Sequence, residues 1–124
     1  MQIRVYYEDT DAGGIVYHSN YLNFCERARS EYFFRKDMLP IIDGSHFVVR
    51  KMSCDFVASA RFGDVIDVKT KLGEIKGASF EIEQKIYKGE QLLFSAKVLL
   101  VLVNNGKVKK LTQDIQNLLT ALFW

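Results

Sequence analysis

Residues 20–36 have the sequence NYLNFCERARSEYFFRK, and this stretch decides the fold. Apolar side chains recur along it at the spacing of a single helical face. The members of this stripe are Tyr21, Phe24, Cys25, Ala28 and Tyr32. Ser19 or Asn20 is expected to cap the first turn by accepting a hydrogen bond from an unpaired backbone N–H. Because the only proline is Pro40, the pattern predicts one long helix that ends before it.

The period of the pattern changes from helical to alternating after this helix. Residues 66–72 and 80–87 alternate between uncharged and mostly charged side chains, which is typical of half-buried antiparallel strands. The residue types also predict strands at 47–56 and 91–103, and a short one at 2–7. Turns are expected at 61–64, 88–90 and 104–106, where Gly and Asn tolerate positive φ.

The chain is expected to finish in a short helix. Leucine and isoleucine recur at helical intervals from Leu111 to Leu122, and Thr112 is in place to cap the first turn. The order of elements is therefore strand, long helix, four long strands and short helix. We predict an α+β fold in which a five-stranded antiparallel sheet wraps one long helix.

Composition limits the classes of protein to which the chain can belong. With 124 residues, 48% of them hydrophobic, residues 1–124 are expected to form a single globular domain. A net charge of +2 with interspersed signs does not indicate nucleic-acid binding. No stretch resembles a signal peptide, and none reaches the roughly 18 apolar residues of a membrane span. Cys25 and Cys54 form no disulfide pattern, so we expect reduced cysteines, Cys25 buried, in a cytoplasmic protein.

One strand predicts contact with a second copy of the chain. Residues 98–103 are apolar without alternation, so both faces of this strand favour burial. A single helix can cover only one face of the sheet. We expect a homo-oligomer, a dimer or a dimer of dimers, to cover the other face. The alternative is that the short C-terminal helix, with Phe123 and Trp124, covers it.

The loop at residues 7–21, YEDTDAGGIVYHSNY, holds the residues with chemical potential. A calcium loop of the EF-hand type would begin at Asp9, but Gly13 and Asn20 stand where further oxygen ligands are needed. The loop lacks the neighbouring His or Cys ligands of a transition-metal site, the lysine of a phosphate loop and the G-x-S-x-G pattern of a serine hydrolase. No metal and no cofactor is expected.

What remains is carboxylate chemistry beside the start of a helix. The first N–H groups of a helix are unpaired and can stabilise an oxyanion. A carboxylate beside them can attack a carbonyl carbon or deprotonate a water. Asp9 and Asp11 are the candidates, and each also fits a purely turn-forming role. His18 fits either a local hydrogen bond or catalysis.

The loop and the helix start closely resemble the 4-hydroxybenzoyl-CoA thioesterase branch of the hotdog superfamily, and within it the YbgC-like acyl-CoA thioesterases. The matching segments are 7–11 (YEDTD), 13–18 (GGIVYH), 20–22 (NYL), Phe24 and 26–29 (ERAR). The order of strands and helices is similar over essentially the whole chain. The resemblance implies the hotdog fold and hydrolysis of an acyl-CoA substrate to free CoA and a carboxylic acid.

The resemblance also implies roles for single residues. Asp11 matches the catalytic aspartate, which acts as nucleophile or as general base. His18 matches the position whose backbone N–H polarises the thioester carbonyl, and its imidazole would orient substrate or water. The substrate-binding residues implied are Tyr7, Gly13, Gly14, Ile15, Val16, Tyr17 and Tyr21.

In such enzymes CoA lies across a subunit interface, and basic residues meet its phosphates. The residues that could do so here are Arg50, Lys51, Arg61 and Lys76. Two other functions are weighed against hydrolysis. One is a non-catalytic acyl-CoA-binding or scaffolding protein linked to phospholipid synthesis or the Tol–Pal system, which would not need Asp11. The other is a hotdog dehydratase, whose His and Glu pair the loop lacks. The acyl chain length stays open.

Overall fold

The computed structural model describes residues 1–123, arranged as one antiparallel sheet and two helices. The elements are β1 (Gln2–Arg4), a single 3₁₀ turn (Tyr7–Asp9), α1 (Asn20–Phe34), β2 (Ile41–Ile42), β3 (Ser45–Phe56), β4 (Val65–Ile75), β5 (Ser79–Lys88), β6 (Gln91–Asn104), β7 (Lys107–Lys109) and α2 (Gln113–Phe123). The strands follow the order β1-β4-β5-β6-β3-β2, and β7 pairs with β6.

The predicted α+β hotdog fold is confirmed, and the sheet has two short strands beyond the five expected. β2 pairs with the start of β3 through a turn at Asp43 and Gly44, where both residues have positive φ. Asp-Gly is the sequence signature of such a two-residue hairpin. β7 continues the hairpin predicted at residues 104–106.

The core lies between α1 and the inner face of the sheet. The predicted helical stripe is buried at Tyr21, Phe24, Cys25 and Ala28, whereas Phe33 takes the place expected for Tyr32 at the end of the helix. Along β5 the inner residues are fully buried, and the alternation predicted there is confirmed. These inner residues are Phe80, Ile82, Gln84 and Ile86.

The two cysteines are free. Cys25 has no exposed surface, and burial raises the pKa of its thiol to about 12. Its predicted burial is confirmed. Cys54 lies on β3 and is exposed.

Helix α2 packs on the same side of the sheet as α1. Its predicted cap is confirmed, because Thr112 Oγ1 accepts the N–H of Ile115 at 3.3 Å. The Phe123 ring lies 4.9 Å from that of Tyr32 and 6.0 Å from that of Phe33. Phe123 therefore closes the core beside α1, and the alternative that it covers the outer face of the sheet is wrong. Trp124, named in that alternative, lies outside the described residues.

The outer face of the sheet carries an apolar patch near β7. The strand register places Val48 beside Val101 and Val103 beside Val108, on the face opposite to α1. Val48 and Val108 are exposed. One edge of β3 pairs with β6. Within residues 1–123, the other edge pairs with β2 only at Ser45 and His46, so the rest of this β3 edge is free.

Neither helix of the described chain has the length and apolarity that a membrane span requires.

Candidate active site

A tight hairpin in the loop before α1 positions the Asp11 side chain. The Asp11 N–H donates to the Ile15 carbonyl at 2.9 Å, and the Gly14 N–H donates to the Asp11 carbonyl at 3.0 Å. Gly14 has a φ of 78°, a conformation that a side chain would strain. Asp11 Oδ1 accepts the N–H of Gly13 at 2.8 Å. This bond orients the exposed carboxylate and leaves Oδ2 without a protein donor among residues 1–123.

The second half of the loop is bound to the segment that follows β3. The Val16 N–H donates to the Ala60 carbonyl at 2.9 Å, and Ile15 forms an isolated β-bridge with Arg61. The Tyr21 hydroxyl accepts the N–H of Ala60 at 3.0 Å, and burial raises the pKa of this phenol. The loop, α1 and the strand connection therefore meet at one end of the sheet.

Asp9 connects the loop to the start of α1. It is buried, and its Oδ2 accepts the N–H of Tyr6 at 2.9 Å. Its Oδ1 accepts the side-chain N–H of Asn20 at 3.2 Å. The predicted cap is wrong: Ser19 has helical φ and ψ, which turns its hydroxyl away from the capping position, and Asn20 donates to Asp9 instead.

Asp9→Asn is expected to lower the free energy of unfolding by about 1–3 kcal/mol, because an amide nitrogen replaces one of two buried acceptor oxygens. Urea unfolding followed by circular dichroism measures the change. Asp37→Asn, at an exposed site after α1, is the control and should leave stability nearly unchanged. Equal stability of the Asp9 variant and the wild type would contradict a structural role for Asp9.

Asp11 and His18 face a shared cavity of about 300 Å³, the Asp11–His18 cavity. The other lining residues are Ile15, Val16, Tyr21, Phe56, Val57, Ala58 and Ser59. The His18 ring lies 4.4 Å from the ring of Tyr17 and 6.3 Å from that of Phe56. The cavity therefore has aromatic and aliphatic walls, and its polar side chains are one carboxylate, one imidazole and the hydroxyls of Tyr21 and Ser59.

The backbone N–H groups around the start of α1 differ in whether they have an acceptor. The Asn20 N–H donates to the Tyr17 carbonyl at 2.8 Å, and the Leu22 N–H donates to the Ser19 carbonyl at 3.1 Å. Within the described chain, the N–H of His18 has no acceptor. An unpaired N–H just before a helix start is suited to bind a carbonyl oxygen or an oxyanion.

Asp11 also borders a second cavity of about 410 Å³, the Tyr7–Phe62 cleft. The Tyr7 and Phe62 rings meet edge to face at 5.9 Å, and both are exposed. Thr10, Ala12 and Gly14 complete its lining. Asp11 therefore lies between two cavities. A substrate whose reacting carbon lay beside the carboxylate could extend one arm into each of them.

The structure brings most of the predicted site residues together, though not all in one cavity. Ile15, Val16 and Tyr21 line the Asp11–His18 cavity, and Tyr7 and Gly14 line the cleft. Two others line neither cavity: Gly13 donates its N–H to the Asp11 carboxylate, and the Tyr17 ring lies tilted against that of His18.

Sequence reasoning missed residues 56–59 and Phe62, which form the opposite walls. The apolar run Phe56-Val57-Ala58 at the end of a predicted strand was the available signal. Of the predicted phosphate-binding residues, Arg61 adjoins the loop through its bridge to Ile15. The others are exposed elsewhere, Arg50 and Lys51 on β3 and Lys76 just after β4. Residues 1–123 hold no cluster of three or more His, Cys, Asp or Glu side chains that could bind a metal ion.

Known proteins resemble this chain in sequence and in fold. The thioesterase superfamily profile matches residues 13–95. The acyl-CoA thioesterase YbgC of Helicobacter pylori is 46% identical over 87 residues, which are 70% of this chain and 65% of that protein. The match thus spans slightly less than two thirds of this relative.

Two further proteins match over more of their length. The acyl-CoA thioesterase YbgC of Haemophilus influenzae is 41% identical over 86% of this chain and 82% of its own. A thioesterase from Thermus thermophilus, solved with coenzyme A and zinc, is 27% identical and has a TM-score of 0.86 over 98% of this chain and 92% of its own. The chain belongs to the thioesterase superfamily, and within it to the family of the YbgC acyl-CoA thioesterases.

Proposed function

We propose that this chain hydrolyses acyl-CoA thioesters, with Asp11 as the catalytic carboxylate. One observation carries the proposal: Asp11, His18 and Tyr21 at the start of α1 line the same cavity, and the backbone N–H of His18 has no acceptor among residues 1–123. A carboxylate beside a backbone donor is the minimum set for acyl transfer to water. The names of the Helicobacter and Haemophilus relatives support the substrate class.

The reaction follows from this arrangement. The thioester carbonyl oxygen accepts the His18 N–H, which polarises the carbonyl carbon. Oδ2 of Asp11 attacks that carbon to give a mixed anhydride, or it takes a proton from a water that attacks. The C–S bond breaks, CoA leaves as the thiolate, and water supplies the second oxygen of the acid. The His18 imidazole, held by Tyr17, orients the water or the substrate.

The two cavities on either side of Asp11 fit the two arms of a thioester. The apolar Asp11–His18 cavity suits the acyl group, with Ile15 and Val16 in its wall. The Tyr7–Phe62 cleft would then take the thiol-bearing arm. Arg61, exposed beside the loop, is placed to meet a phosphate of CoA.

The proposal is tested by measuring hydrolysis of CoA thioesters from acetyl to palmitoyl, and of benzoyl-CoA. Because Cys54 is exposed and would react with a thiol dye, the assay follows the thioester absorbance or uses Cys54→Ser. Hydrolysis of one or more substrates is expected, and the panel reads the acyl preference. Binding of CoA esters without any hydrolysis would favour the acyl-CoA-binding protein instead.

We also propose that the chain assembles as a dimer of dimers. The free edge of β3 can pair with the same edge of a second copy about a twofold axis. The outer patch, defined as Val48, Val101, Val103 and Val108, can then pack against a second dimer. The cytoplasmic location of the protein stays a prediction, based on the expected reduced cysteines.

Light scattering is expected to give a mass near four times that of the 14.3 kDa chain. Val108→Glu should reduce the mass to that of a dimer, because it puts a charge into the outer patch and leaves the β3 edge intact. Lys107→Glu is the matched control, since alternation turns this neighbouring side chain to the other face. A particle of 14 kDa in the wild type would contradict the assembly.

A further inference from the structure

A third cavity, of about 370 Å³, lies between the C-terminal half of α1 and the start of β3. It shares no lining residue with the Asp11–His18 cavity or with the Tyr7–Phe62 cleft. Its walls are mainly apolar and include Phe33, Phe47, Phe80 and Leu100, and Arg29 lines it as a cation. We call it the Arg29 cavity. Its volume is in the range of small-molecule sites.

Arg29 is half-buried and has hydrogen-bonding capacity to spare. Its Nη1 donates to Gln84 Oε1 at 2.8 Å, and no carboxylate of the described chain forms a salt bridge with it. Nε and Nη2, the edge that matches a carboxylate, have no acceptor among residues 1–123. No side-chain nitrogen in the described chain is both fully buried and unpaired, so this edge stays accessible.

A cation that is removed from water without an anionic partner costs free energy. Burial lowers the pKa of Arg29 from its usual value, as expected for a desolvated guanidinium. Glu26 also lines the cavity but is exposed, so solvent screens its charge more strongly. An anion that entered the cavity would therefore meet the unpaired edge of a half-buried guanidinium, and apolar walls beside it.

We propose that the Arg29 cavity is a second ligand site, which binds an aliphatic carboxylate. The carboxylate pairs side-on with Nε and Nη2 of Arg29, and the hydrocarbon chain lies against Phe33, Phe47 and Phe80. Within one chain this site shares no lining residue with the thioester cavity, and its binding of a carboxylate does not depend on hydrolysis. A second copy at the β3 edge would border the cavity near Val49, so the test uses the assembled protein.

Calorimetric titration with octanoate and with octanol tests the site. Arg29→Gln is expected to weaken octanoate binding by about tenfold or more, the value of a charge-assisted hydrogen bond, and to leave octanol binding nearly unchanged. Glu26→Gln should tighten octanoate binding by about two- to fivefold, because it removes a screened repulsion. Equal affinities of wild type and Arg29→Gln for octanoate would overturn the proposal.

A second variant covers the case in which Arg29→Gln fails to fold. Ser30→Leu fills the Arg29 cavity from α1, where leucine is a good helix former, and should abolish binding of both octanoate and octanol. Retained binding in this variant would overturn the proposal.

Asp11→Asn separates the two sites. If octanoate binds in the Arg29 cavity, as proposed, its affinity should be the same for Asp11→Asn and for the wild type. If it binds in the Asp11–His18 cavity, its affinity should be higher for Asp11→Asn, because the variant lacks the carboxylate that repels it. Octanoate binding should also persist in the presence of saturating octyl-CoA thioether. Competition between the two ligands, or tighter binding to Asp11→Asn, would assign the octanoate to the thioester site and overturn the proposal.

Discussion

Asp11→Asn is expected to lower kcat for thioester hydrolysis by at least about a hundredfold, and more if Asp11 is the nucleophile. In the wild type, Asp11 Oδ1 accepts the N–H of Gly13 at 2.8 Å. The side-chain amide oxygen of the variant can accept the same N–H. The hairpin of residues 10–16 therefore keeps its shape, and the variant loses the carboxylate alone. The measurement is kcat on the best substrate of the thioester panel, with the assembly checked by light scattering.

Glu8→Gln is the matched control for this prediction. It removes one negative charge from the same loop, and Glu8 is exposed and lines neither cavity beside Asp11. Its kcat should stay within about twofold of the wild type. An Asp11→Asn variant that keeps more than a tenth of the wild-type kcat would reject Asp11 as the catalytic carboxylate.

Gln84→Ala is expected to lower the free energy of unfolding by about 2–4 kcal/mol. Gln84 is fully buried on β5, where its Nε2 donates to the Cys25 carbonyl at 2.9 Å and to Thr70 Oγ1 at 3.1 Å. Its Oε1 accepts a hydrogen bond from Nη1 of Arg29. The alanine variant leaves a void between α1 and the sheet, and it removes the hydrogen-bond partner of a half-buried guanidinium.

Urea unfolding measures this loss as a lower midpoint at an unchanged m-value. Gln91→Ala, at the exposed first residue of β6, makes the same substitution without burial and should change stability by less than about 0.5 kcal/mol. An equal midpoint for Gln84→Ala and the wild type would mean that the network does not connect α1 to β5.

Local pattern was enough for most of the fold. The apolar spacing around Phe24 predicted α1, and the alternation at residues 66–72 and 80–87 predicted β4 and β5 within a few residues of their observed bounds. The Asp43-Gly44 turn carries an equally local signal, but neither this turn nor β2 was predicted. The cap at Ser19 failed for another reason: Ser19 already has helical φ and ψ, and the Asn20 side chain donates to Asp9 in the loop.

The candidate site likewise combines residues whose proximity could be predicted from the sequence with residues whose proximity could not. Asp11, Gly14 and His18 belong to one continuous loop, so their proximity to the start of α1 could be inferred from their order in the chain. Phe56 and Phe62 come from beyond α1, and nothing in their own neighbourhood assigns them to the walls beside Asp11. Gln84 looked like one more residue of an alternating strand. Its hydrogen bonds to α1 and to Arg29 appear only when helix and sheet are packed.

By itself, then, the sequence determined the elements of this protein, their order, and the loop that presents a carboxylate to the start of a helix. Tertiary structure alone decided which residues wall the two cavities beside Asp11, which buried group pairs with Arg29, and where α2 lies. The physical reason is that helical and strand periodicity is carried by consecutive residues. A cavity wall or a buried hydrogen bond depends instead on strand register and packing between residues far apart in the chain.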